Sequence, residues 1–139
     1  MGKEDERLMH PKQAELEDTM SQMCRQLDDY LEDKYGNLYR IHPNRPVRGR
    51  TANPNNDGLF STGTMFTLGY GSDFGRGYII DIEIRSLEKI PSEERQKIEK
   101  DGIAFITKRL GSFFPDRKLE IVRDKTVWKL IGDFSLGTV

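Results

Sequence analysis

In Tyr78-Ile-Ile-Asp-Ile-Glu-Ile-Arg85, Tyr78, Ile80, Ile82 and Ile84 fall on one side and Asp81, Glu83 and Arg85 on the other. Successive side chains of a strand point to opposite faces. The pattern therefore predicts a β-strand with one face on a core and the other in water. Strands of that kind belong to antiparallel sheets. Upstream, residues 59–70 are rich in Phe, Thr and Gly, and Phe60, Phe66, Leu68 and Tyr70 share one parity. Between the two runs lies Gly69-Tyr-Gly-Ser-Asp-Phe-Gly-Arg-Gly77. The pair reads as a hairpin whose connection holds the glycines.

Helical patterns flank the hairpin. From Pro11, which suits a first helical position, Leu16, Met20, Met23, Leu27, Tyr30, Leu31 and Tyr35 recur at spacings of three and four. That is one apolar stripe of an amphipathic helix, and Gly36 suits the residue just past its end. After the hairpin, Ile90-Pro-Ser-Glu-Glu94 is a helix start with Ser92 as its expected cap. Ile98, Phe105, Ile106 and Leu110 give the buried stripe, Gly102 lies on it, and Gly111 is expected to end the helix. Leu119–Val122 and Val127–Ile131 read as a second hairpin turning at residues 123–126. The order is α-β-β-α-β-β. It predicts an α+β fold with two helices on one face of a largely antiparallel four- or five-stranded sheet. The fifth strand would be the short run Leu38–Ile41. Residues 1–10 are polar and expected to fray; residues 11–139 read as a single domain.

The 139 residues carry a formal net charge of −1, which argues against a general nucleic-acid binder. The charge is unevenly spread. Residues 1–35 hold ten acids and five bases, residues 36–80 five arginines and two aspartates, and residues 81–139 eleven acids and twelve bases. With one cysteine, Cys24, no intrachain disulfide forms. No run is apolar enough to span a bilayer and no signal peptide is evident, so a cytoplasmic location without membrane contact is expected. Cys24 falls inside the first helix and reads as a small buried hydrophobe.

The basic centre is Arg40-Ile-His-Pro-Asn-Arg-Pro-Val-Arg-Gly-Arg50, and no acid occurs from Asn37 to Asn56. Guanidinium groups fork two donors at a phosphate or carboxylate and keep their charge when partly desolvated. Arg40, His42, Arg45, Arg48 and Arg50, with Arg76 from the glycine-rich connection, are therefore the expected ligand-binding residues. Against this stands a structural alternative, in which the arginines pair with Asp28, Asp29, Glu32 and Asp33 of the first helix. The glycines could bind an anion through backbone N–H groups, but phosphate loops join a strand to a helix and these join two strands. Tyr70 and Phe74 are the rings best placed for exposure, as in surfaces that stack single-stranded nucleic acid. Asp81 and Glu83 share a strand face about 7 Å apart. With Arg85 beside them and two histidines in the chain, they read as a solvated face.

No catalytic residue, metal ligand or cofactor is expected. The first functional expectation is a small non-enzymatic binding module for an anionic ligand, nucleic acid first. The alternative is a protein–protein interaction subunit that docks through the long loop and hairpin tip. A third is a small enzyme on a phosphorylated or carboxylated substrate, with Arg48, Arg50 and Arg76 on the anion and Asp81 or Glu83 as base. Nothing in the sequence sets an oligomeric state.

Overall fold

The computed structural model describes residues 11–51 and 57–134; the expected frayed segment 1–10 lies outside them. The fold is α+β in the expected order. Helix α1 (Pro11–Tyr35) is followed by strands β1 (Phe60–Thr67) and β2 (Gly77–Ile84). Helix α2 (Ser92–Thr107), the single-turn helix α3 (Leu110–Phe113) and strands β3 (Leu119–Asp124) and β4 (Val127–Gly132) complete it. The strands form one antiparallel sheet in the order β1-β2-β4-β3. β1 is therefore an edge strand.

The alternation of β2 does what it predicts. Ile80 and Ile82 are buried with Tyr78, and Asp81 is exposed. Register places Phe60, Thr62, Thr64 and Phe66 opposite Ile84, Ile82, Ile80 and Tyr78, so all eight face the helices. Leu130 of β4 lies opposite Tyr78 and extends this face. The α1 stripe closes over it with Leu16, Met20, Met23, Leu27 and Leu31, and α2 adds Ile98, Ile103 and Ile106. Gly102 faces α1 and the sheet: a methyl group there would stand 3.0 Å from Leu27 and 3.4 Å from Ile82. Polar contacts tie the helices at their exposed seam. Asp101 accepts from the Tyr30 and Tyr35 hydroxyls at 2.8 and 2.5 Å and pairs with Lys34 at 2.6 Å, while Tyr30 stacks on Phe105.

Three local expectations need correction. Leu38–Ile41 forms no strand, and among the described residues the sheet has four. The Leu38 amide turns back to the Tyr35 carbonyl and the Arg40 amide bonds the Glu88 carboxylate, so no ladder starts. Gly111 does not end the second helix. α2 stops at Thr107, and Gly111 sits within α3. Ser92 is the first residue of α2 rather than its cap; Pro91 holds the cap position without a side-chain hydrogen bond. No described helix is long and apolar enough to cross a membrane.

Candidate functional site

The arginine segment leads from α1 to β1 and lies against both. The His42 amide donates to the Arg85 carbonyl at 2.8 Å, which fixes the segment beside the end of β2. The Gly58 amide donates to the Pro46 carbonyl at 3.0 Å and closes the loop on itself. Arg45 is the strut of this loop. Its Nε donates to the Gly58 carbonyl at 2.7 Å, and a terminal nitrogen reaches the carbonyls of Asp57 at 3.0 Å and Phe60 at 3.4 Å. Arg48 pairs with Asp29 of α1 and lies 3.6 Å from the buried Asp57 carboxylate. Asp57 Oδ2 also accepts from the Gly49 and Thr51 amides and the Thr51 hydroxyl, at 3.2, 3.0 and 2.9 Å. Burial works to raise the Asp57 carboxyl, but these donors and the Arg48 charge outweigh it and hold it below the usual range.

Two of the six expected ligand residues, Arg45 and Arg48, are thus engaged inside the fold. His42 is half-buried and its Nδ1 accepts the Asn44 amide. Arg40 and Arg50 are exposed, and neither has an ion-pair partner among the described residues. Arg76 is exposed but just precedes β2, at the other end of the hairpin. Eight strand residues, about 25 Å, separate it from the arginine segment, so the geometry does not bring the six together. Asp81 is exposed on an open strand face and Glu83 pairs with Arg85 at 2.6 Å. Cys24 is buried, and burial with the nearby Asp28 charge pushes its thiol up to about 12, which leaves no reactive thiolate.

The acids of α1 have a role that their sequence did not reveal. Glu32 accepts the Leu59 amide at 3.2 and 3.0 Å and also faces the Phe60 amide. One turn earlier, Asp28 Oδ1 accepts the Thr62 hydroxyl at 2.7 Å and faces the Thr62 amide. The amides of Phe60 and Thr62 belong to the outer edge of the sheet, so α1 carboxylates cap the first half of that edge. Asp28 is fully buried, and its Oδ2 has no hydrogen-bond partner among the described residues. Burial pushes its carboxyl up to about 7, against the Thr62 bonds and the charges of Arg48 and Arg45. The legible signal for this arrangement was Asp28 lying next to Leu27 within the apolar stripe.

The glycine-rich connection is anchored by a residue no motif marks. Lys129 of β4 is 1% exposed and donates to Ser72 Oγ at 3.1 Å, to the Gly75 carbonyl, and to Asp124 Oδ2 at 2.9 Å. Ser72 and Lys129 hold the Asp124 carboxyl below its usual range. The connection thereby folds over the sheet face opposite the helices. Gly69 has φ +76°, and a Cβ there would stand 1.9 Å from the Gly75 carbonyl oxygen. Gly69→Ala is expected to lose about 1–2 kcal/mol of stability, because left-handed backbone and collision both oppose it. Urea unfolding measures this; an unchanged midpoint excludes the close approach.

The glycine-rich end of the hairpin keeps several apolar side chains in solvent. Met65, Phe66, Leu68, Tyr70 and Phe74 are 63, 49, 55, 91 and 44% exposed. Phe66 and Tyr78 meet edge to face, and Tyr78 meets Phe134 in the same way. Beyond Phe66 the parity shared with Phe60 continues past the core, so Leu68 and Tyr70 have nothing to cover them. The expected exposure of Tyr70 and Phe74 is met. From Leu59 to Ser72 the chain carries no charged residue.

A protein-family profile described as "Uncharacterised protein" matches residues 11–132, which takes in every described helix and strand. The chain belongs to that family. A relative with the same description, from Borreliella burgdorferi, is 49% identical over 120 residues, covering 86% of this chain and 94% of its own. The comparison thus spans both the arginine segment and the apolar hairpin end. No solved structure matches the chain.

Proposed function

We propose that the chain is a non-catalytic protein-interaction module whose contact surface is the glycine-rich end of the β1–β2 hairpin. The observation that carries this reading is the group of exposed apolar side chains Met65, Phe66, Leu68, Tyr70 and Phe74 within one uncharged stretch and its flank. Single exposed hydrophobes are ordinary, whereas five within ten residues of an edge strand and its tip make a contact surface in search of a cover. Burial of such side chains drives association without dependence on charge. The test is selection from a displayed library of random peptides. Enriched sequences are expected to carry apolar residues at alternate positions and to bind nearly as well in molar salt. A Leu68→Asp/Tyr70→Asp variant, altered only at exposed positions, is expected to keep its circular dichroism and lose the binding. A library with no enriched sequence, or binding that survives the double variant, overturns the reading.

A second reading keeps an anionic ligand, nucleic acid first, at the arginine segment. It rests on Arg40 and Arg50, exposed and without ion pairs among the described residues. It is narrower than the sequence suggested, because Arg45 and Arg48 have protein partners. It requires binding of single- or double-stranded oligonucleotides at low salt that weakens as salt rises, since counterions released from phosphates drive it. Fluorescence anisotropy without such binding eliminates it.

A further inference from the structure

We infer that the partner of the hairpin end is a second copy of this chain, joined by antiparallel pairing of the two β1 strands. The inference rests on the proposed interaction surface and specifies its occupant.

The first observation is the state of the sheet edge. Outward-facing backbone groups recur every second residue along an edge strand. On β1 they begin with Phe60 and Thr62, which Glu32 and Asp28 cap. The next are those of Thr64 and Phe66, and no group among the described residues bonds them. Edge strands of monomeric proteins are blunted by charge, proline or a bulge. β1, Phe-Ser-Thr-Gly-Thr-Met-Phe-Thr, has no charge and no proline, and its register with β2 runs unbroken from Phe60 to Thr67. The capped half excludes a partner strand, so pairing is confined to the half around Met65.

The second observation identifies the partner. A groove of about 410 Å³ runs between α1 and this edge, lined by Asp18, Ser21, Cys24 and Arg25 on one side and Thr62–Thr64 on the other. Asp18 and Arg25 are both exposed, and neither has an ion pair among the described residues. They lie seven residues apart, about two turns, and so share the groove side of α1. A two-fold axis reverses that order. It sets Asp18 against Arg25 of the second copy and Arg25 against its Asp18.

The two elements agree on where the axis falls. An axis at Met65 sets Thr64 opposite Phe66 of the second copy and uses both free amides and both free carbonyls. Asp28 marks the helix level of Thr62. Three strand residues on, about 10 Å, correspond to six or seven helical residues, hence to the level of Ser21. Ser21 is midway between Asp18 and Arg25. Backbone groups and charges thus call for the same symmetric pairing, as an isologous contact requires. Met65 would meet its own copy across the axis. Gly63, with open space where a Cβ would stand, would face Thr67 of the second copy.

The test is sedimentation equilibrium of the full chain from micromolar to millimolar concentration. A monomer–dimer equilibrium is expected. Met65→Lys, at an exposed position, is expected to give a monomer with unchanged circular dichroism. Asp18→Arg and Arg25→Asp are each expected to weaken the dimer about tenfold, since each replaces two attractive pairs by two repulsive ones. The double reversal Asp18→Arg/Arg25→Asp is expected to restore the dimer. Wild type that stays monomeric throughout, a dimer indifferent to Met65→Lys, or single reversals that the double does not rescue each overturn self-pairing. A monomeric wild type that still selects apolar extended peptides at Leu68 and Tyr70 overturns self-pairing alone. Failure of that selection in a monomeric protein removes the interaction reading as well.

Discussion

Asp28→Asn flattens the fall in stability that the wild-type protein shows between about pH 4 and pH 7. The unfolded chain releases the Asp28 proton near the ordinary aspartate value, about 3.9. The native state holds it to about 7, because the carboxyl is buried beside Thr62 with one oxygen unpartnered. Between those values the native state binds a proton that the unfolded state lacks, so stability falls as pH rises and levels off above the native value. The whole fall is about 3–4 kcal/mol at most. Glu32, also raised by burial, acts in the same direction just above its ordinary value. Asp57, Asp101 and Asp124 are all held low, so their contributions vanish as pH falls below the ordinary carboxylate range. Stability is therefore greatest at about pH 4–5, where Asp28 is still protonated and the other three aspartates are ionised. Asparagine keeps the acceptor for the Thr62 hydroxyl and removes the titration. It also puts a buried N–H2 where Oδ2 stood, so the net gain near neutrality and above is about 1–2 kcal/mol. Urea midpoints of both proteins across this range measure the effect. Parallel curves would show that Asp28 is not the group responsible.

This behaviour follows from an arrangement that lay half visible in the sequence. Helix α1 was legible because seven apolar residues hold one stripe over more than five turns, and β2 because its alternation runs without error from Ile80 to Arg85. Asp28 was visible only as an acid beside that stripe. Its use as a cap on the β1 edge depends on where α1 crosses β1, and local pattern carries no such information. Lys129 was hidden for the same reason. On β4 it alternates correctly with Leu130 as an outward residue, and it is buried only because the Gly69–Gly77 connection folds back over it. Leu38–Ile41 misled in the opposite direction. Its residues favour a strand, but propensity does not decide where no neighbouring strand is free to pair. Beside Arg85 the chain just before β1 already takes the amide through the Leu59 carbonyl, and the Arg85 carbonyl accepts the His42 amide. The arginine segment shows the limit most clearly. A cluster of charge in sequence says nothing of whether each guanidinium points outward or inward, and here Arg40 and Arg50 go one way, Arg45 and Arg48 the other.

Arg45→Met separates those two roles and is expected to be the most destabilising change in the segment, at about 3–4 kcal/mol. The methionine keeps the bulk of the side chain and removes every donor. The residues whose carbonyls Arg45 bonds, Asp57, Gly58 and Phe60, are all buried, and water does not replace the guanidinium there without opening the loop. The loss extends to α1. Residues 58–60 carry the amides that Glu32 accepts, and the Arg45 charge favours the ionised carboxylates of Asp28 and Glu32. Arg45→Lys retains the charge but not the fork. One ammonium does not span three carbonyls from the same position, so about 1–2 kcal/mol is lost even with charge conserved. Arg40→Ala and Arg50→Ala, at exposed positions, change stability by less than about 0.5 kcal/mol. Urea unfolding of the four variants decides the matter. The order Met, then Lys, then the two alanines at the wild-type level identifies Arg45 as the strut that holds the start of β1. A lysine variant as stable as wild type would mean that charge alone holds it, and a methionine variant as stable as wild type would free Arg45 for a ligand.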